Sequence, residues 1–366
     1  MQKLIELENY PNILVSSNLL NYDKPDYIYI PINNKSELLV HKDEEVLIGD
    51  ALVKNGKEIL ISSVSGKVIN IEKVNTINGI EDALKIENDF QDKRKLSVLS
   101  NLKKVKKEEI DLFITLKKGE TLVINCIDDE PCVVTENFYL FKNSLDYLEL
   151  LDYISNVYSL KEVIIAVKSI SSENISSLMN YLGMYPNIKL KIIPNLYLLG
   201  KTPFLESYLN LDKDTTKILM ASEFYPLCLR LKKSRDITSK YITITGDNIT
   251  NPSVVQVRIG ASLKDIVESL FKIPENSILI VNGLMSGKET NLDLIITKEV
   301  HSVFIMQKKK VPKRTECIRC SACIKICPVG INPLKNKKDN RCIECGLCSY
   351  ICPSYIDFKE GGNQNE

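Results

Sequence analysis

The chain has 366 residues, too many for one typical core and enough for two to four domains. A 44% hydrophobic content belongs to folded globular protein, and 48 Lys plus Arg against 47 Asp plus Glu exclude a general nucleic-acid binder on charge. The balance is local: residues 308–341 carry eleven basic and two acidic residues, about +9, which leaves about −8 for the remainder.

Acidic residues and Pro11 stand near the start, where a signal peptide needs an apolar run, and no stretch of ~18 uncharged apolar residues occurs. A cytoplasmic protein is expected, at most peripheral on the inner face of the cell membrane through partner subunits. Residues 37–72 alternate short apolar runs with turn signals and predict a small antiparallel β unit. Its pattern resembles a barrel-sandwich hybrid, the fold of lipoyl and biotinyl carriers, assigned to residues 1–100. Neither Lys54 nor Lys67 lies in the flanking sequence of an acylated lysine, so both read as structural.

From Thr121 the period changes. Buried strands are predicted at 121–127, 162–167 and 188–193, alternating with helices at 144–157 and 172–182. That alternation argues for a parallel, doubly wound, Rossmann-like α/β domain over 101–238. Strands at 242–245, 254–259 and 277–281 around a helix at 262–271 predict a β-grasp-like (SLBB-type) domain over 239–306. The fold class is thus multidomain α/β, ending in a cysteine-rich module at 307–358 and a polar tail at 359–366 expected to be disordered.

Cys317-x2-Cys320-x2-Cys323-x3-Cys327-Pro328 is followed fourteen residues later by Cys342-x2-Cys345-x2-Cys348-x3-Cys352-Pro353. This is the dicluster ferredoxin run, in which three close cysteines wrap one cubane and the fourth reaches the other. Cluster one is therefore assigned to Cys317, Cys320, Cys323 and Cys352, and cluster two to Cys342, Cys345, Cys348 and Cys327, both [4Fe–4S]. Structural zinc also uses Cys-x2-Cys pairs, but explains neither the triple run nor the trailing Cys-Pro. Cys126, Cys132 and Cys228 lie in apolar surroundings and read as structural thiols. His41 and His301 form no ligand pair, and Gly283-Leu-Met-Ser-Gly287-Lys288 is one residue short of a phosphate loop and reads as a turn.

With its domains in this order the chain resembles the RnfC component of the Rnf electron-transport complex and soluble relatives such as the electron-transfer protein associated with proline reductase. Besides the cysteines, the resemblance rests on Val-Ser-Gly-Lys-Val (64–68), Ile-Thr-Gly-Asp-Asn-Ile-Thr-Asn-Pro (244–252), Val-Arg-Ile-Gly (257–260) and Leu122 to Pro131. It implies an α/β domain that binds FMN and accepts hydride from NADH through a glycine-rich loop. That loop is missing here: residues 107–121 hold the single Gly119, too few glycines for a phosphate cradle. The second family element is reduced to Tyr197-Leu-Leu-Gly200-Lys201, and the third has Cys126 in place of a glycine while keeping Asn125, Asp128 and Glu130. A degenerate FMN site is the expectation, with those three residues as its remnant. The resulting functional expectation is an electron-transfer protein relaying single electrons through two [4Fe–4S] clusters to or from a redox partner: a ferredoxin, a flavodoxin, Rnf-type subunits or a reductase. The alternatives are a component of an FMN-dependent NADH:acceptor oxidoreductase and a scaffold whose clusters are structural. The basic stretch, with Lys308, Lys309, Lys310, Lys313, Lys335, Lys337 and Lys338, is expected to steer an acidic redox partner.

Overall fold

The computed structural model describes residues 7, 16–95, 102–169, 172–308, 313–335 and 339–358. The tail at 359–366, and Lys309, Lys310, Lys337 and Lys338, lie outside the described residues.

Strand β1 (Ser16–Tyr22) opens the chain and is followed by β2 (Tyr27–Ile32), β3 (Glu37–Leu38), β4 (Glu45–Val46), β5 (Ala51–Asn55), β6 (Glu58–Ile61), β7 (Gly66–Thr76) and β8 (Gly79–Asn88). Strands β2 to β8 make two sheets, of order β2-β8-β7-β4 and β3-β5-β6. Their inward residues, among them Ile28, Leu52, Val53, Val64, Val68 and Ile86, form one core, as the alternation of apolar and polar residues requires.

The α/β unit runs α1 (Lys107–Asp111), β9 (Thr121–Asn125), α2 (Thr135–Lys142), α3 (Ser144–Tyr158), β10 (Glu162–Lys168), α4 (Ser172–Leu182), β11 (Ile188–Ile193), α5 (Thr202–Leu209), β12 (Thr216–Met220) and α6 (Ala221–Lys233). All pairings in its sheet are parallel and the order is β11-β10-β9-β12. The central residues of β9 and β10 are buried, which is why these strands read as continuous apolar runs rather than alternating ones. Helix α3 turns Tyr147, Leu148, Leu151, Ile154 and Tyr158 onto the sheet at helical spacing and ends at Ser159 in the left-handed conformation, φ 48°. The chain reverses direction across the sheet between β9 and β12, so their carboxyl ends flank the switch point where doubly wound sheets form a crevice.

The third unit is built from β13 (Ser239–Thr245), β14 (Ser253–Arg258), α7 (Leu263–Leu270), β15 (Ser277–Val281), β16 (Lys288–Thr290) and β17 (Ser302–Gln307). Its six-stranded sheet has the order β1-β14-β13-β17-β15-β16. Strand β1, expected within the first domain, thus pairs in parallel with β14, because Leu19 to Tyr22 align with Val254 to Val257. Tyr241 and Val254 are also part of the α/β core, and the Tyr139 hydroxyl accepts the N–H of Tyr241 at 3.1 Å. The second and third units therefore share a core. Two short helices, α8 (Ala322–Ile326) and α9 (Leu347–Tyr350), complete the chain and pack together. Among the described residues no helix is long and apolar enough to cross a membrane.

Candidate metal centre

The two cysteine runs trace the same backbone twice. In the first, Arg319 and Ser321 on either side of Cys320 are left-handed, with φ 57° and 60°; in the second, Glu344 and Gly346 on either side of Cys345 have φ 52° and 73°. After each Cys-Pro the third residue from the cysteine repeats the device, Gly330 at φ 69° and Tyr355 at φ 53°. A left-handed residue other than glycine costs roughly 1–2 kcal/mol, and four occur here. These kinks curl the chain around its own sulfurs: the Arg319 N–H donates to Cys317 Sγ at 3.4 Å and the Ile331 N–H to Cys327 Sγ at 3.3 Å. Such donors stabilise negative charge on thiolate sulfur.

The ends of the module are tied to each other. The Thr315 N–H donates to the Ser354 carbonyl at 3.1 Å, and the Ser354 hydroxyl donates to the Glu316 carbonyl at 2.9 Å, so the segment before Cys317 lies beside the one after Cys352. Burial pushes the Cys323 thiol up, and the neighbouring Cys352 and Cys317 add to the shift. Burial likewise raises Cys345, with contributions from Cys327 and Cys342, while Cys348 is pushed up to about 11 by burial and by Cys345 and Cys342. Cys317, Cys320, Cys323 and Cys352 line one common cavity with Ile318, Pro353 and Ile356. Cys352, the fourth cysteine of the second run, thus stands with the triple of the first.

The two rings have different surroundings. Cys345 and Leu347 are buried in a core with Ile127, Tyr197, Leu198 and Met285, and Ile343 packs against it. The Tyr197 hydroxyl donates to the Cys345 carbonyl at 2.7 Å. Gly346 lies so close to Met285 that a Cβ there would overlap the Met285 carbonyl oxygen. Cys317 and Cys320 are exposed, together with Lys313, Arg314 and Arg319, and so is Cys342 at the head of the second run.

Asn125, Asp128 and Glu130 gather at the switch-point crevice, and all three are buried and bonded within the chain. The Asn125 amide donates to the Gly200 carbonyl at 2.6 Å, and its Oδ1 accepts the Ile127 N–H at 3.1 Å. Asp128 accepts the N–H of Glu136 at 2.9 Å near the start of α2, and burial raises its carboxyl to about 6. Glu130 accepts the N–H groups of Met285 and Ser286, both at 2.9 Å, and the Ser286 hydroxyl at 2.5 Å. The Gly283–Gly287 segment, read from sequence as a turn, is thus an anion cradle filled by the chain's own carboxylate. Glu136 plays a similar part at the start of α6, accepting the Ser222 N–H at 2.8 Å and the Ser222 hydroxyl at 2.6 Å; burial, then Asp128, push it up to about 8. The parts played by Tyr197, Met285, Ser286 and Glu136 were not foreseen; only the glycines of 283–287 signalled any of them.

Cys126 and Cys228 are buried in the α/β core and Cys132 is half-buried, away from the two rings. Lys54 and Lys67 form exposed ion pairs with Glu37 and Asp43.

A family model described as a 4Fe-4S binding domain matches residues 314–330 and 339–355. The C component of an ion-translocating oxidoreductase complex from Buchnera aphidicola is 25% identical over 249 residues, 62% of this chain and 52% of that one. The C component of a proton-translocating ferredoxin:NAD(+) oxidoreductase complex from Clostridium ljungdahlii is 22% identical over 356 residues, 84% of this chain and 77% of that one. The C component of the ion-translocating complex of Pectobacterium carotovorum is 25% identical over 58% of this chain, which covers 30% of that relative. The chain therefore spans about half the length of the first of these relatives and less of the last. These matches bear out the resemblance to RnfC read from the motifs. Among solved structures, an NAD+-reducing [NiFe]-hydrogenase in the air-oxidized state aligns over 57% of this chain and 42% of its own at 12% identity, TM-score 0.42.

Proposed function

We propose that this chain is an iron–sulfur electron-transfer protein of the RnfC kind, with Cys317, Cys320, Cys323 and Cys352 holding one [4Fe–4S] cluster and Cys342, Cys345, Cys348 and Cys327 the other. The observation that carries the reading is the twice-repeated backbone of the two cysteine runs, with Cys352 lining the same cavity as Cys317, Cys320 and Cys323. The donor set fits: eight cysteines in two sets of four, with main-chain N–H groups turned toward sulfur. Each triple run with its trailing Cys-Pro suits ligands spread over the irons of a cubane better than two pairs of thiolates on one zinc. A cluster so held takes up or releases one electron at a time. The chain supplies the thiolates, the N–H donors that temper their charge, and the apolar packing around Cys345.

The partner in this reading is another redox protein, a ferredoxin, a flavodoxin or further members of an Rnf-type assembly, with the chain on the cytoplasmic side. The four units are read as a barrel-sandwich hybrid, a Rossmann-like α/β unit, a β-grasp-like unit and a dicluster module. FMN does not fit the residues present. Asn125, Asp128 and Glu130 spend their polar atoms on the chain itself.

Anaerobic reconstitution tests the proposal, with about eight iron and eight acid-labile sulfide per chain expected from two cubanes and bleaching of the charge-transfer band by dithionite. Two zinc ions per chain and no iron would remove it. Titration with FMN and NADH addresses the enzyme alternative: tight FMN binding with NADH-driven bleaching would put that reading first.

A further inference from the structure

The internal repeat makes its own control experiment. Ile343 and Ile318 hold the same place in the two runs, each directly after the first cysteine. Ile343 packs against the core that holds Tyr197 and Met285, whereas Ile318 is 67% exposed. The next residue differs in sign: Glu344 in the inner run is Arg319 in the outer one. In the same exposed segment as Ile318 are Lys313, Arg314 and Arg319, with Glu316 as its acidic residue, and Tyr355, just after Cys352, is 53% exposed. An isoleucine left in water beside a ligand cysteine, in a segment with three exposed cations, has the makeup of an interface: an apolar centre with charged neighbours.

We propose that this face, centred on Ile318 and rimmed by Lys313, Arg314 and Arg319, is the docking surface for a small acidic one-electron carrier protein. Charge complementarity selects the occupant, since a partner with carboxylates around an apolar cofactor edge pairs with the cations while Ile318 is buried. The inference rests on the electron-transfer reading and adds a direction to it: the second run packs Cys345 and Ile343 against the α/β unit, and the face around Ile318 of the first run is the port to other molecules.

The test uses the full chain reconstituted with iron and sulfide, and an acidic plant-type ferredoxin as probe, with affinity read by isothermal titration. Binding is expected to weaken about ten-fold or more between low salt and ~0.2 M salt. Arg319→Glu is expected to weaken it about ten-fold or more at low salt, and Ile318→Ser several-fold at any salt, each compared with the parent chain at equal iron content. Lys313→Glu, four residues before the first cysteine, is expected to weaken binding in the same sense with iron content unchanged, which keeps the test decisive where a change beside Cys317 or Cys320 disturbs cluster loading. Loaded, dithionite-reducible variants that all bind like the parent chain, or an affinity indifferent to salt, overturn the docking surface and leave the electron-transfer reading standing. A parent chain that takes up no iron removes that reading first.

Discussion

The hydroxyl of Tyr197 reaches the carbonyl of Cys345 at 2.7 Å, joining the loop after β11 to the second cysteine of the second run. Both residues are buried, so removing the hydroxyl strands a carbonyl away from water. Tyr197→Phe is expected to cost about 0.5–1.5 kcal/mol of stability, read by denaturant unfolding of the loaded chain. A change within error would mean that water replaces the hydroxyl.

Gly346 is held by two constraints at once: a left-handed backbone and the Met285 carbonyl where a Cβ would stand. Gly346→Ala therefore has to push the second cysteine run off the α/β unit. Iron is expected to fall from about eight to about four per chain, with the outer ring retained. The matching change in the outer run, Ser321→Gly, relaxes a left-handed residue and should keep the full complement.

The crossed ligand assignment has a simple readout. Cys327 belongs to the first run in sequence but raises the thiol of Cys345 in the second. Cys327→Ala is expected to damage the cluster of Cys342, Cys345 and Cys348, which protection of those three thiols from alkylation would report. Loss of protection at Cys317, Cys320 and Cys323 instead would reverse the assignment.

Glu136 gives a pH dependence with a definite sign. Its folded-state value is raised to about 8, chiefly by burial, so its favourable contribution is complete below the ordinary carboxylate range and is lost as pH rises toward 8. A glutamine keeps one oxygen for the Ser222 N–H and offers an N–H to the Ser222 hydroxyl, without the charge. Glu136→Gln is expected to be neutral near pH 5 and more stable than the parent by about 1–2 kcal/mol at about pH 8.5. Melting curves at the two pH values check it; a parallel shift at both would assign the gain to packing.

Legibility followed the range of the interactions. The helix at 172–182 and the strands at 188–193 and 277–281 were readable to the residue, because a periodic apolar face and its caps are local properties. The cysteine runs were equally plain. Helix α6 was missed because Pro226 lies inside it and reads as a breaker, and β12 because its short apolar run follows Asp-Lys-Asp and carries Lys217. The site's surroundings were hidden for a different reason. Glu130 meets Ser286 across 156 positions and Tyr197 meets Cys345 across 148, and no composition signal marks a partner so distant.

Strand β1 gives the chain an unusual order of assembly. The Arg258 side chain at the end of β14 bonds the carbonyl of Asp23, just past β1, across 235 positions, and the whole first β unit and the α/β unit lie between. A ribosome delivers β1 long before the edge it pairs with, and closing a loop of that length is entropically slow. Until then β1 is a strand without its partner, the kind of surface that invites the wrong neighbour during synthesis. The maturation of this molecule is therefore gated by its first strand returning home, well before any iron has to be delivered.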